Sequence, residues 1–280
     1  MAVVRTALGI ALTGLVLYLV FVGLLFGMQR RMVFQPDTRP ITPRAAGLPG
    51  FESIEISPGV RSWWHPPSGA NAPVILYFHG NGGALAGRAH IFSDMASWGF
   101  GVLAVGYPGY GGNAGSPSEA TISRTAQANY DWLIARGTAP SRIVITAHSM
   151  GTGVAVPLAA RNRAAGLILE SPFTALADVA QKAMPYAPVQ WLIRDPFRSS
   201  DHASALTMPV AWMHGTADTV IPFPMGQRLF DMIKAPKCAL RIEGGDHDHL
   251  WDMGASDFTK RQALAMVATG KCATEAGHQQ

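Results

Sequence analysis

The residues with the clearest chemical content lie in Arg142-Ile143-Val144-Ile145-Thr146-Ala147-His148-Ser149-Met150-Gly151-Thr152-Gly153. A β-branched run ends in a small residue followed by His-Ser-Met-Gly, then continues as the helical pattern Thr152 to Ala160. A serine between small residues where a strand meets a helix is a nucleophile elbow: the turn is sharp enough to expose the serine Oγ, and only small flanking side chains avoid a clash. Ala147 stands where the G-x-S-x-G form has its first glycine, and the turn tolerates its methyl group. The competing reading is a plain Ser-Gly turn after a strand; the strand on one side and the helix on the other favour the elbow.

A serine nucleophile needs a base, the base needs an orienting acid, and the oxyanion needs donors. In folds with this elbow the order along the chain is serine, acid, histidine, and candidates occur in that order. The acid is Asp218, in His214-Gly215-Thr216-Ala217-Asp218 just past an apolar strand, with Glu170 at another strand end as a rival. The base is His247, in Gly244-Gly245-Asp246-His247-Asp248-His249 after the last strand, with His249 as a rival. The alternating Asp and His of that loop match no established metal-ligand spacing and leave Ser149 unexplained, so no metal and no organic cofactor are expected. Candidate oxyanion donors are the backbone N–H of Met150, at the positive end of the helix after the elbow, and that of Asn81 in His79-Gly80-Asn81-Gly82-Gly83. His79 itself reads as a buried structural histidine rather than a catalytic one.

These residues must be positioned by a sheet. Apolar runs at Val74 to Phe78, Gly101 to Val105, Ile143 to Ile145, Leu167 to Leu169, Val210 to Met213 and Cys238 to Ile242 alternate with helical stretches. Continuously apolar strands separated by helices mean a largely parallel sheet covered on both faces. The strand carboxyl ends then converge on one edge, where residues distant in sequence meet. Phe51 to Ile56 and Val60 to Trp64 read as a strand pair around Ser57-Pro58-Gly59. Thr174 to Leu206 is too long for a simple connection and reads as a small lid. Trp191, Phe197, Trp212, Phe223 and Met225 are candidates for an apolar acyl pocket or for ordinary core and lid packing.

Charged residues make up 14% of the 280 and hydrophobic ones 48%, which excludes a disordered chain. Residues 1–50 carry five basic residues and one acid, which is the whole formal net charge of +4. The remainder is therefore neutral and has no basic excess for a phosphate backbone, so no nucleic-acid partner is expected. From Thr6 to Gln29 no residue is charged. At ~1.5 Å per residue this run crosses a hydrocarbon core of about 30 Å. It is longer than the apolar region of a cleaved signal peptide, and Met28-Gln29-Arg30-Arg31 is a poor cleavage site. The expected partition is an anchor at 1–30, a linker at 31–50, a catalytic domain at 51–272 with the lid near 174–206, and a tail at 273–280. The arginines after the span place the domain on the cytoplasmic side by the positive-inside rule. Cys238 and Cys272 show no metal spacing and no dense disulfide framework, and read as two thiols, with a single bridge between them as the alternative.

Taken together, His79-Gly80-Asn81-Gly82-Gly83, Tyr107-Pro108-Gly109-Tyr110-Gly111, His148-Ser149-Met150-Gly151, Glu170-Ser171-Pro172-Phe173 and the Asp218 and His247 loops resemble the α/β-hydrolase superfamily. The branch most similar is that of membrane-anchored, serine-aminopeptidase-like hydrolases, to which some protein depalmitoylases are also similar. The resemblance runs from about Arg31 to Val267 and implies an α/β-hydrolase fold and serine-hydrolase activity. Two departures stand out. That branch usually has Asp-Tyr-Arg-Gly-Tyr-Gly where this chain has Gly106-Tyr107-Pro108-Gly109-Tyr110-Gly111, so an ion pair near the site mouth is absent; and its final loop reads His-Asp-His rather than His-Asn-Asp. The expected reaction is hydrolysis of an acyl ester or thioester through Ser149, His247 and Asp218. The anchor would give it local access to amphiphilic or lipid-linked acyl substrates at the bilayer. A peptidase built on the same site, and a non-catalytic membrane-tethered binding module, are the alternatives.

Overall fold

The inner parallel strands read as apolar runs because both faces are covered, and the period of two then divides their residues between two cores. In β4 (Val74–Phe78), Val74, Leu76 and Phe78 enter one core while Ile75 and Tyr77 enter the other. The computed structural model describes residues 1–273. The remainder of the expected tail lies outside the described residues.

The chain begins with one long helix, α1 (Ala2–Val33), followed by a two-residue strand β1 (Gln35–Pro36). An antiparallel pair β2 (Glu52–Ser57) and β3 (Val60–His65) precedes β4, and a second two-residue strand β5 (Gly82–Gly83) follows it. Then come α2 (Ala89–Ser97), β6 (Gly101–Ala104), α3 (Glu119–Ala135), β7 (Ile143–His148), α4 (Met150–Arg161) and β8 (Gly166–Glu170). Three short helices, α5 (Leu176–Ala183), α6 (Val189–Leu192) and α7 (Ser200–Ala203), occupy the expected lid. The chain closes through β9 (Val210–Gly215), α8 (Phe223–Met232), β10 (Lys237–Ile242) and α9 (Ala255–Thr269).

The main sheet has eight strands in the order β10-β9-β8-β7-β4-β6-β3-β2. From β6 to β10 every pairing is parallel, and β3 and β2 add an antiparallel edge. Helices α3, α4 and α8 cover one face, α2 and α9 the other. Ser118 opens α3 with a capping box: its hydroxyl accepts from the Thr121 N–H, and the Thr121 hydroxyl accepts from the Ser118 N–H. Cys238 and Cys272 lie side by side, and a hydrogen bond between them lowers the Cys272 thiol.

The segment expected to be the linker is fastened to the domain. β1 pairs in parallel with β5, the Asp37 N–H donates to Gly83 O at 2.8 Å, and the Gly111 N–H donates to Asp37 O at 2.7 Å. Leu48 and Phe51 are buried in the core on the α2 side. Proline and glycine density signals a segment without helix or strand pattern, but does not report whether its backbone finds partners on a neighbouring loop.

Gly106, the departure from the related Asp-Tyr-Arg-Gly-Tyr-Gly pattern, also has a local cause. A Cβ there would lie 2.0 Å from Arg61 O and 2.8 Å from Asn113 Nδ2. Asn113 binds this corner together: its Oδ1 accepts from the Arg61 N–H at 2.9 Å, and its Nδ2 donates to Arg61 O and Tyr107 O at 3.3 and 3.2 Å. Gly106→Asp is therefore expected to destabilise the fold by roughly 2–3 kcal/mol through overpacking. Urea denaturation measures this, and a midpoint equal to wild type would contradict the packing argument.

Candidate active site

The elbow forms where β7 ends and α4 begins. Ser149 sits at φ 54° and ψ −125°, a conformation that L residues adopt only under constraint. The Ser149 N–H donates to Glu170 O on β8 at 2.9 Å, and Ser149 O accepts from the Thr152 N–H and hydroxyl at 2.8 and 2.7 Å. Gly151 lets α4 approach β4 closely: a Cβ there would lie 2.3 Å from Phe78 O and 2.7 Å from His79 O.

The structure brings Ser149, His247 and Asp218 together from the loops after β7, β10 and β9. His247 Nε2 lies 2.9 Å from Ser149 Oγ, and His247 Nδ1 lies 2.7 Å from Asp218 Oδ2. An ionised carboxylate only accepts, so Nδ1 carries the proton and Nε2 faces the serine as an acceptor. The other Asp218 oxygen accepts from the N–H groups of Val220 and Ile221 at 2.9 and 2.8 Å. Burial raises the Asp218 carboxyl, but hydrogen bonds from His214, His247 and Ile221 outweigh it and hold the group well below the usual carboxylate range. Met150 is the first residue of α4, and N–H groups in a helix's first turn have no partner inside the helix. Across from it, Gly80 packs on the nucleophile, where a Cβ would lie 3.4 Å from Ser149 Cβ.

Asn81 is clasped on three sides. Its side-chain Nδ2 donates to Val33 O at the end of α1 at 3.0 Å, while its carbonyl accepts from the Tyr110 hydroxyl at 2.8 Å and the Gln35 N–H at 3.3 Å. The loop bearing the candidate donor is thus held by the segment that leaves the long apolar helix.

The rival residues lie elsewhere. His249 is exposed and bonded to Asp246 at 2.7 Å. Glu170 is buried but makes no bond to His247; burial pushes its carboxyl up to about 7, against the opposing pull of Arg88 and His247. His79 is buried, stacked on Tyr107 with centroids 4.0 Å apart, and bonded to Gly80 O. The five candidate acyl-pocket residues do not form one cavity. Trp212 packs in the core against Phe223 and Phe230, Phe197 is buried beside Gly153, and Met225 packs against the core, whereas Trp191 is 88% exposed. An apolar groove lies instead between α1 and the lid, lined by residues such as Val22, Phe26, Met184 and Leu192.

Three residues beside the catalytic candidates have no clear signal in the sequence. His214 Nε2 donates to Ile221 O at 2.8 Å and lies 3.2 Å from Asp218 Oδ2. His148 Nδ1 faces the Arg88 guanidinium at 3.3 Å, so it accepts, and Nε2–H donates to His247 O at 3.1 Å. Burial, then Arg88 and His247, push His148 well below the usual histidine range and keep it neutral. Only a histidine four residues before Asp218 hinted at His214; Arg88 is sixty residues from His148.

The raised Glu170 carboxyl gives a signed pH dependence. The folded state holds this proton more tightly than the unfolded one, so the contribution is present below pH 4.5 and is lost as pH rises to about 7. The span is worth roughly 3 kcal/mol. Glu170→Gln, which does not titrate, is expected to gain stability over wild type by that order between pH 4.5 and 7. Paired denaturation curves across that range measure it; parallel profiles would contradict it.

Comparison with known proteins agrees with this architecture. Residues 69–199 match the family model described as serine aminopeptidase, S33. An uncharacterized protein of Mycobacterium tuberculosis is 32% identical over 230 residues, covering 80% of this chain and 82% of its own. Lysophosphatidylserine lipase ABHD12 of Xenopus tropicalis is 34% identical over 200 residues, covering 64% of this chain; the match spans about half of that lipase, 51%. Among solved structures, an esterase of Pyrococcus furiosus superposes with a TM-score of 0.64 at 17% identity, covering 82% of this chain and 95% of its own. With the order of the sheet and the matches along its length, the chain belongs to the α/β-hydrolase superfamily and is a serine hydrolase.

Proposed function

We propose that the protein hydrolyses acyl ester or thioester bonds of amphiphilic, lipid-linked substrates, with Ser149 as nucleophile, His247 as base and Asp218 as orienting acid. The observation that carries this reading is the unbroken hydrogen-bonded path from Ser149 Oγ through the His247 ring to Asp218, at 2.9 and 2.7 Å, on a serine held at φ 54°. Ser149 Oγ attacks the acyl carbon as His247 Nε2 takes its proton. Asp218 keeps the other ring nitrogen protonated and stabilises the imidazolium. The N–H groups of Met150 and Asn81 receive the developing oxyanion, each worth about 3 kcal/mol in the transition state. The imidazolium then protonates the leaving oxygen or sulfur, and water activated by the same histidine releases the acid.

Two features support a lipid substrate. The groove between α1 and the lid is apolar, and the relatives that share about a third of their residues with the matched region include lipases of a single-chain phospholipid. With α1 across a bilayer, the arginines that follow it support a cytoplasmic position for the domain.

Ser149→Ala is expected to fold with wild-type stability and to lose about 10³-fold or more in kcat, because the three residues act as a unit. Labelling by a fluorophosphonate should vanish with it; an active variant would overturn the mechanism. A second variant tests the clasp on Asn81. Phe34 is extended at φ −99° and ψ 119°, a conformation that accepts a following proline. Gln35→Pro deletes the N–H that donates to Asn81 O together with the side-chain amide that donates to Met32 O. Displacing an oxyanion donor lowers turnover more than binding, so kcat toward a soluble ester is expected to fall about tenfold with KM unchanged. Gln35→Ala, which keeps the N–H, serves as the control. Equal kcat in both would show that this bond does not position the donor.

A further inference from the structure

The lid does not sit at the foot of α1; it climbs it. The Tyr18 hydroxyl donates to Tyr186 O at 3.0 Å, and Phe21 packs against the Tyr186 ring at 5.9 Å. Lower down, the Arg194 guanidinium covers the Phe26 ring at 4.2 Å. Gln29 bridges two lid residues, donating to Leu192 O at 3.2 Å and accepting from the Arg194 N–H at 2.7 Å. Arg30 pairs with Asp195 at 2.8 Å. Contacts therefore run from Tyr18 to Arg30, a length of ~18 Å along the helix axis.

That length decides where the lid must be. The charge-free run of α1 is Thr6 to Gln29. The part not flanked by the lid, Thr6 to Leu17, is also only ~18 Å long, too short for a hydrocarbon core of about 30 Å. A helix that spans the bilayer in this arrangement carries the lid tip into the membrane beside it. We propose that residues 184–193 are a leaflet-embedded element, a second membrane contact whose partner is the acyl region of the bilayer. The proposal rests on the reading of α1 as a membrane span.

The chemistry of the tip fits that environment. From Ala183 to Ile193 no residue is charged; Lys182 bounds the run on one side and Arg194 with Asp195 on the other, and Asp195 pairs with Arg30. Long basic side chains at such positions reach the headgroups. Trp191 is 88% and Tyr186 60% exposed, an uneconomical arrangement in water but an ordinary one for aromatic residues in a bilayer. The decisive feature is the backbone, because non-helical chain in lipid must satisfy its polar groups internally. Pro185 and Pro188 have no N–H to satisfy. The carbonyls of Met184 and Ala187 accept from Gln181 Nε2 at 3.2 and 3.0 Å, that of Tyr186 from Tyr18, and that of Leu192 from Gln29. Side chains of neighbouring elements thus take the place that water would fill at a solvated loop. The apolar groove between tip and helix then opens within the leaflet, where acyl chains lie.

The test uses the unaltered full-length chain in vesicles of phosphatidylcholine and phosphatidylglycerol carrying a phosphatidylcholine with a mid-chain diazirine. After irradiation, trypsin releases Thr6 to Arg30 and Ala183 to Arg194 as separate peptides, with Thr125 to Arg136 on α3 as the reference. Adducts several-fold above the reference are expected on both of the first two, with those of the lid peptide on Tyr186 and Trp191. Adducts on the anchor peptide alone would overturn the embedded lid while leaving the anchor intact. Adducts confined to the groove-facing residues Met184 and Leu192 would mean a bound lipid chain and would also overturn it. Adducts on neither peptide would overturn the spanning helix and the proposal together. None of these readouts depends on turnover, so they stand apart from the assigned reaction.

Discussion

The site depends on one strained residue. Ser149 at φ 54° occupies a conformation that costs on the order of 1–3 kcal/mol, and it persists because its surroundings leave no alternative. β8 takes its N–H through Glu170 O, the first turn of α4 takes its carbonyl through Thr152, and Gly151 allows α4 to lie against Phe78 O. The strain is local, and the sheet that pins it is not. Adjacent parallel strands β9, β8, β7 and β4 end at one edge, and β10 follows beside β9. Asp218, Ser149, the loop of Asn81 and His247 each leave one of those ends. A parallel sheet is what allows residues 98 positions apart, such as Ser149 and His247, to share a hydrogen bond.

Four buried histidines surround this edge, and their partners sort them by task. His79 bonds Gly80 O, His148 bonds His247 O, and His214 bonds Ile221 O. Each of the three has a ring nitrogen committed to a backbone carbonyl. Desolvation first of all keeps His79 and His148 neutral, with His79 pushed down to about 3. His247 alone has a carboxylate on one nitrogen and a hydroxyl on the other. His214 adds a second imidazole N–H beside Asp218, so the carboxylate is hydrogen-bonded from two sides and remains an acceptor. Through Arg88, the fixed charge beside His148 also reaches Asp248 at 3.6 Å, tying the base's loop to the loop after β5.

What could be read from the chain divides along a physical line. Strand–turn–helix periodicity is local information, so the elbow at Ser149, the alternating elements and the antiparallel pair at the sheet edge were all legible. The positions of Asp218 and His247 followed from chain order combined with strand ends, and the structure places both beside Ser149. Roles that arise only when distant segments meet were not legible. Arg88 is an ordinary surface-helix arginine by pattern, and becomes a ring-orienting donor only because β7 delivers His148 beside it. Aromatic residues carry no mark that separates core from pocket, so Trp212 and Phe197 were as eligible for an acyl site as for the interior they occupy. The stretch 31–50 looks like a tether because proline and glycine interrupt every period; β1 and β5 show that two residues of backbone pairing suffice to fasten it.

That fastening changes what the anchor is. A flexible tether would raise local substrate concentration and leave orientation free. Here α1 is joined to the domain at two places in its last turns. Arg30 bonds Asp195, which also accepts the first N–H of α3 from Glu119 at 2.9 Å. Val33 O receives the side chain of Asn81, whose carbonyl is gripped by Gln35 and Tyr110. Together with the contacts of Tyr18 and Gln29 to the lid, they hold α1 in one orientation relative to the domain. With α1 across a bilayer, the edge that bears Ser149 therefore presents one fixed aspect to the membrane surface. For a lipid-linked substrate, whose headgroup and acyl chain are already aligned by the leaflet, a site of fixed orientation meets a reactant of fixed orientation. That alignment removes rotational freedom from the encounter before the carbonyl reaches Ser149, which is the same source of rate that positioning supplies inside an active site.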